Sequence, residues 1–192
     1  MRKIPTLYRR NPDDMRYLLP EVHPDCGWVL AGEGIPTAKL DGVCTMLDDA
    51  GQWWARREVR PNRPEPDNFV EIDADPVTGK RVGWEPIRQS GFAKIHGAAL
   101  AAEPAAVFSP GTYELLGPKI NGNPHHYRAH TLALHGAIRL HAIPTGFEEL
   151  RDLMRDWTIQ DGGCCTMYEG IVWHHPDGRR AKIKVRDFTQ AN

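Results

Sequence analysis

Turn signals recur so often in this chain that long helices have little room. Glycine supplies 18 residues and proline 16 of the 192. Proline removes a backbone donor and glycine weakens regular segments, so this punctuation favours short strands joined by turns. TAKLDGVCTML (37–47) reads as one strand kinked at Gly42, DDAG (48–51) as a turn, and QWWARREVR (52–60) as its hairpin partner. WVLAGEG (28–34), GTYELLG (111–117) and TLALHGAIRL (131–140) read as further strands. FVEIDADPVTGKRVGWEPI (69–87) alternates around turn signals at Asp75, Pro76 and Gly79. YEGIVWHHPDGRRAKIKVRDF (168–188) reads as a hairpin turned by Pro176, Asp177 and Gly178. SGFAKIHGAALAAEP (90–104) is helical, and TGFEELRDLMRDW (145–157) is the clearest helix. Thr145 is its expected cap, with Glu148 three residues later and an apolar stripe of Phe147, Leu150, Leu153, Met154 and Trp157. The expectation is an α+β chain of antiparallel sheets with flanking helices. No linker or internal repeat interrupts it, so residues 1–192 are read as a single domain.

Bulk charge excludes some partners. The net charge is −1, so the chain is no polycation, and any polyanion must be met by a local patch. No run reaches membrane-spanning length, and MRKIPTLYRRN lacks the apolar core of a secretory leader. Cys26, Cys44, Cys164 and Cys165 show no CxxC spacing, which argues against a zinc ribbon. A reducing, cytoplasmic setting with thiols is expected. His125, His126, His130, His135 and His141 cluster in sequence, and His174 and His175 follow, but none has cysteines at ligand spacing.

Charged residues interrupt the strands in a pattern that burial alone does not explain. Residues i and i+2 of a strand share a face. Lys39 and Asp41 are so spaced, followed by Gly42, and so are Lys182 and Lys184. Arg56, Arg57 and Glu58 lie in QWWARREVR, Glu114 lies inside GTYELLG, and Glu169 opens EGIVW. Taken singly, each has an ordinary reading: Lys182 and Lys184 could simply protect a sheet edge. Taken together, inward lysines, arginines and glutamates call for a ligand, because unpaired buried charge is costly. Paired lysines suit phosphate oxygens, and carboxylates beside them suit a metal ion or ribose hydroxyls.

The ordered set Lys39-Leu40-Asp41-Gly42, Arg56 or Arg57, Glu114-Leu115-Leu116-Gly117, Glu169-Gly170-Ile171-Val172 and Lys182-Ile183-Lys184 resembles the covalent nucleotidyltransferase superfamily. That superfamily comprises ATP-dependent DNA and RNA ligases and mRNA capping enzymes. The resemblance covers residues 33–184. It is nearest to the RNA ligases, especially the small family with a vertebrate member that carries similar ARREV and GTYELLGPK segments. The implied fold is an adenylyltransferase (nucleotidyltransferase) domain, here without a C-terminal OB-fold, since eight residues follow Lys184.

The implied activity is ATP-dependent RNA ligation. A lysine amine attacks the α-phosphorus of ATP, holds AMP as a phosphoramidate, passes it to a 5′-phosphate RNA end, and the end is sealed to a 3′-hydroxyl. Such an amine must first lose its proton, through desolvation or neighbouring cations. The resemblance makes Lys39 the nucleophile within its motif with Asp41 and Gly42. It gives Glu114 the ribose hydroxyls, Arg57 in preference to Arg56 the ribose or phosphate, and Lys182 and Lys184 the phosphates. Glu169 would organise a catalytic Mg2+ or Mn2+. Glu33, six residues before Lys39, is the candidate for reading the base.

Ligases of this kind stack an aromatic residue on the adenine after ExxG, and TLALHG offers no Phe or Tyr. Tyr127, His130 and His135 are the candidates to replace it, and the alternative is a base seated between aliphatic residues. Arg2, Lys3, Arg9, Arg10, Arg179 and Arg180 could meet RNA phosphates, and a partner protein could supply a further domain. The competing readings are a nucleotide-binding or self-adenylylating protein without sealing activity, and a DNA ligase or guanylyltransferase of the same fold.

Overall fold

The computed structural model describes residues 3–103, 108–160 and 168–188. The fold is α+β, and every pairing between its named strands is antiparallel. The chain forms two compact units: Ile4–Asp41 with Gly136–Asn192, and Gly42–His135 with Met1–Lys3. Among the described residues no helix is long and apolar enough to cross a membrane. Cys164 and Cys165 fall outside the described residues.

The first unit contains β1 (Tyr8–Arg10), β2 (Leu18–Val22), α1 (Gly27–Leu30), β3 (Ile35–Lys39), α3 (Phe147–Gln160), β10 (Gly170–His174) and β11 (Arg180–Lys184). β1 and β2 form a hairpin, and a three-stranded sheet runs β11-β10-β3. Alternation along β10 and β11 sends Ile171, Trp173, Ala181 and Ile183 into the core, each at most 2% exposed. Leu150 and Met154, one turn apart on α3, join them with no exposed surface. Phe147, Leu153 and Trp157 pack against the same cluster, as the predicted stripe requires.

Two details differ from expectation here. α3 begins at Phe147, so Gly146, not Thr145, occupies the position before the first helical residue. WVLAGEG does not open as a strand: Gly27–Leu30 is a short helical turn. It is entered through a 3-10 turn at Pro24–Cys26, where the His23 side chain accepts from the Asp25 amide. Trp28 and Val29 are both buried as neighbours, which a turn permits and an alternating strand does not.

The second unit contains β4 (Val43–Leu47), β5 (Trp53–Val59), β6 (Val70–Ala74), β7 (Arg81–Pro86), α2 (Ala93–Ala102), β8 (Gly111–Leu116) and β9 (Thr131–Leu134). Its six strands are ordered β6-β7-β5-β4-β8-β9. One face carries Tyr113, Leu115 and Leu132, packed with Ala99 of α2 and with Ile120. Trp53 completes this core through ring contacts to His96 at 4.7 Å, Tyr113 at 5.2 Å and Phe108 at 5.6 Å. Burial lowers the His96 imidazole to about 4, so it packs as a neutral ring.

TAKLDGVCTML is therefore not one kinked strand. β3 pairs with β10, while β4 pairs with β5 and β8 in the other sheet. TLALHGAIRL is divided likewise. β9 ends at Leu134, and the backbone around Ile138 and Leu140 bonds instead to Ala38 and Pro36 on β3.

The sheet of the first unit depends on the absence of a side chain at Gly170. A Cβ there would stand 2.0 Å from the Ile183 carbonyl oxygen and 2.7 Å from the Lys184 Cα. Gly97, inside α2, has nothing within 4 Å of such a Cβ. Urea denaturation is expected to separate the two. Gly170→Ala should cost about 1–3 kcal/mol or more through overpacking, while Gly97→Ala should gain roughly 0.5–1 kcal/mol through helix propensity.

Candidate functional site

Lys39, Gly170 and Lys184 lie side by side across β3, β10 and β11. Residues directly opposite in an antiparallel ladder share a face. The two lysines therefore flank a residue with no side chain of its own. Thr37, Val172 and Lys182 form the next rung on that face. Lys182 and Lys184 thus project together, as their spacing predicted, and Lys39 joins them.

Glu169 occupies the gap. Its amide donates to the Lys39 carbonyl at 2.8 Å, and its carbonyl accepts from the Val185 amide at 2.9 Å. Its carboxylate accepts from the Lys39 ammonium on Oε2 and from the Lys184 ammonium on Oε1. The side chains of Lys39, Glu169 and Lys184 are 21%, 13% and 14% exposed, too covered for loose surface pairs. Burial opposes the Glu169 charge most strongly, but Lys39 and Lys184 outweigh it and hold the carboxyl below its usual range. Lys182 is pushed the other way. Burial, then the charges of Lys184 and Lys39, bring its amine down to about 8. Three lysines facing one glutamate leave this face with excess positive charge, suited to an anion.

Sequence reasoning missed the support behind Lys184. Its backbone amide donates to Asp187 Oδ2 at 2.9 Å. Asp187, 5% exposed, also accepts from the Arg10 guanidinium on Oδ1 at 2.6 Å. An aspartate three residues past the final lysine was the available signal.

Two other expected residues of this unit lie outside the strands that carry the lysines. Asp41 lies past the end of β3, so the shared-face argument for Lys39 and Asp41 does not apply to it. Glu33 follows α1 and is engaged by His175 Nε2 at 3.1 Å, with Arg179 at 4.0 Å, beside the β10–β11 turn.

In the second unit, Glu114 sits on β8 opposite Cys44 and is 8% exposed. The Gly42 amide donates to its Oε1 at 2.9 Å, and His135 Nε2 lies 2.7 Å from its Oε2. A Cβ on Gly42 would stand 2.4 Å from the Leu115 carbonyl oxygen, so only glycine lets the chain come this close to β8. The Asn121 amide holds the Gly42 carbonyl at 3.1 Å.

The register puts the two arginines on opposite faces of the sheet. Arg56 shares a face with Trp54, Met46, Cys44 and Glu114, whereas Arg57 shares one with Ala55 and Val59. Of the three candidates to replace the stacking aromatic, Tyr127 is held through its backbone, its amide donating to Asn123 Oδ1 and its carbonyl accepting from Asn123 Nδ2, and His130 packs against Gly117. His135 reaches Glu114.

Among the described residues, no group of three His, Cys, Asp or Glu side chains is placed to hold a metal ion. Both Glu169 oxygens are already engaged by ammonium groups. A divalent cation here would depend on the phosphates of a bound nucleotide for most of its ligands, as Mg2+ commonly does.

Lys182 gives a direct test of the electrostatics. With neither metal nor nucleotide present, lysine 13Cε NMR should find one amine titrating with a midpoint near pH 8, and Lys182→Met should remove it. Between about pH 8 and the ordinary lysine range, the unfolded chain keeps a proton that folded Lys182 has lost. This group's contribution to stability therefore rises with pH through that window.

A family model described as RNA ligase 1 matches residues 94–189, half of the chain. That span contains Glu114, Glu169, Lys182 and Lys184, while Lys39 and Gly42 precede it. RNA ligase 1 of Rattus norvegicus is 37% identical over 90 residues, covering 44% of this chain and 26% of that protein. RNA ligase 1 of Danio rerio is 32% identical over 90 residues with the same coverage. The match spans about a quarter of the length of these curated relatives. On the extent of the family match, the chain belongs to the RNA ligase 1 family.

Proposed function

We propose that this chain is an ATP-dependent RNA ligase of the covalent nucleotidyltransferase type, with Lys39 as the residue that becomes adenylylated. The observation that carries this reading is the convergence of Lys39, Lys182 and Lys184 on one sheet face, with Glu169 bridging two of them. An amine beside fixed cations is suited to attack at a phosphorus whose surrounding oxygens bear negative charge.

In the first step the Lys39 nitrogen forms a bond to the α-phosphorus of ATP. The bond from that phosphorus to the bridging oxygen breaks, and pyrophosphate leaves with the electron pair. The amine's surplus proton must depart, and Glu169 Oε2, hydrogen-bonded to that nitrogen, is placed to accept it. Lys182 and Lys184 meet the charge on the phosphates. The same reading gives the ribose hydroxyls to Glu114. A Mg2+ or Mn2+ ion arriving with the nucleotide would neutralise phosphate charge, with Glu169 as its protein ligand. AMP then passes to a 5′-phosphate RNA end, and attack by a 3′-hydroxyl seals the strand and releases AMP. A self-adenylylating protein without sealing activity would share the first step and differ at the last.

Intact mass after incubation with ATP and magnesium is the test. Wild type should gain about 329 Da, the mass of one adenylyl group on an amine. Lys39→Ala should gain nothing, and Lys184→Ala should lose at least roughly tenfold in rate, about 1.4 kcal/mol of barrier. Sealing of a 5′-phosphorylated RNA separates a ligase from a protein that only captures AMP. An adduct that survives in Lys39→Ala, or none on wild type with ATP, GTP or NAD, would sink the assignment.

A further inference from the structure

His135 follows β9 directly, and its backbone amide donates to the Thr112 carbonyl on β8 at 3.0 Å. Thr112 and Glu114 are two apart on that strand and share a face. The His135 ring spans them. Nδ1 lies 2.9 Å from Thr112 Oγ1, and Nε2 lies 2.7 Å from Glu114 Oε2. A carboxylate only accepts, so Nε2 donates whether the ring is neutral or charged. Thr112 can adapt to either state, because a hydroxyl both donates and accepts.

Both Glu114 oxygens are thereby fixed, Oε1 by the Gly42 amide and Oε2 by His135. A carboxylate has about four acceptor positions. Each oxygen can therefore accept more than the one hydrogen bond named here, in a direction set beside the donor already in place. Two neighbouring hydroxyl groups, as on a ribose, match two such acceptors.

We propose that His135 is a positioning residue: braced on Thr112, it orients the Glu114 carboxylate so that the pocket distinguishes a ribose from a deoxyribose. This rests on the assignment of the sugar hydroxyls to Glu114 made above. His135 makes no claim on the reacting phosphorus. Its effect is confined to how well the sugar is read.

The test uses α,β-methylene ATP and its 2′-deoxy counterpart, which bind without transferring AMP. Dissociation constants are measured by calorimetry for wild type, His135→Leu, His135→Gln and Thr112→Val. Wild type should prefer the ribose form by roughly tenfold or more, the scale of a hydrogen bond to a charged group. His135→Leu should erase most of that preference by weakening the ribose form, leaving the deoxy form within about twofold. His135→Gln keeps an N–H toward Glu114 and should restore the preference. Thr112→Val should reduce it less than His135→Leu does.

Equal weakening of both nucleotides in His135→Leu, or no ribose preference in wild type, overturns the proposal. If His135→Leu does not fold, the Gln and Val variants decide it by whether the preference follows the donor. The ligase reading fails separately, by absence of the AMP adduct, and leaves the two affinities still measurable.

Discussion

The carboxylate of Glu169 stands between two ammonium groups, and the local architecture of its unit is arranged to keep it there. Lys39 comes from one neighbouring strand and Lys184 from the other, so the bridge forms only when both ladders are in register. A slip of one residue on either side would turn its lysine toward the apolar core. Gly170 keeps the intervening position bare, and the Arg10–Asp187 pair holds the backbone of Lys184. Removing one member of a covered ion cluster leaves the others without compensation, which costs more than the intact pairing contributes. The arrangement is thus poised for exchange. An incoming anion can take over the ammonium groups without leaving them uncompensated.

Glu114 in the second unit follows a related logic with different donors. A backbone amide and an imidazole replace the two ammonium groups. These donors fix direction while adding less positive charge than two lysines do. One carboxylate is therefore tied to a cationic cluster and the other is aimed by neutral or switchable donors. The first suits contact with phosphate, and the second suits contact with hydroxyl groups.

Much of this was legible in the sequence because it follows from local periodicity, two along a strand and about 3.6 along a helix. The alternation of Lys182 and Lys184, the apolar Ile183 between them, and the α3 stripe each depend on neighbours along the chain. What could not be read depends on pairing across it. Arg56 and Arg57 are equivalent in sequence, and only the β5 register against β4 decides which shares a face with Glu114. Lys39 and Asp41 fit a shared-face spacing, but β3 ends at Lys39. WVLAG carries an apolar run too short to separate strand from helix, and Pro24 with His23 settles it through cap geometry. The contacts of His135 to Thr112 and Glu114 on β8 join positions more than twenty residues apart, which no local pattern reveals.

The division of the chain at 41/42 and 135/136 also sets an order in time. As the polypeptide leaves the ribosome, strands β4 to β9 find all their ladder partners within residues 42–135. β3 emerges before them, yet Gly170 of β10, which pairs with Lys39, lies more than 130 residues beyond that lysine in the chain. Closing so long a loop is slow compared with closing a hairpin. The nascent chain therefore carries Lys39 on an unpartnered strand while the whole intervening unit is built. The amine meets Glu169 only once β10 has been made, so a chain truncated before β10 would hold the lysine but not the cluster that surrounds it.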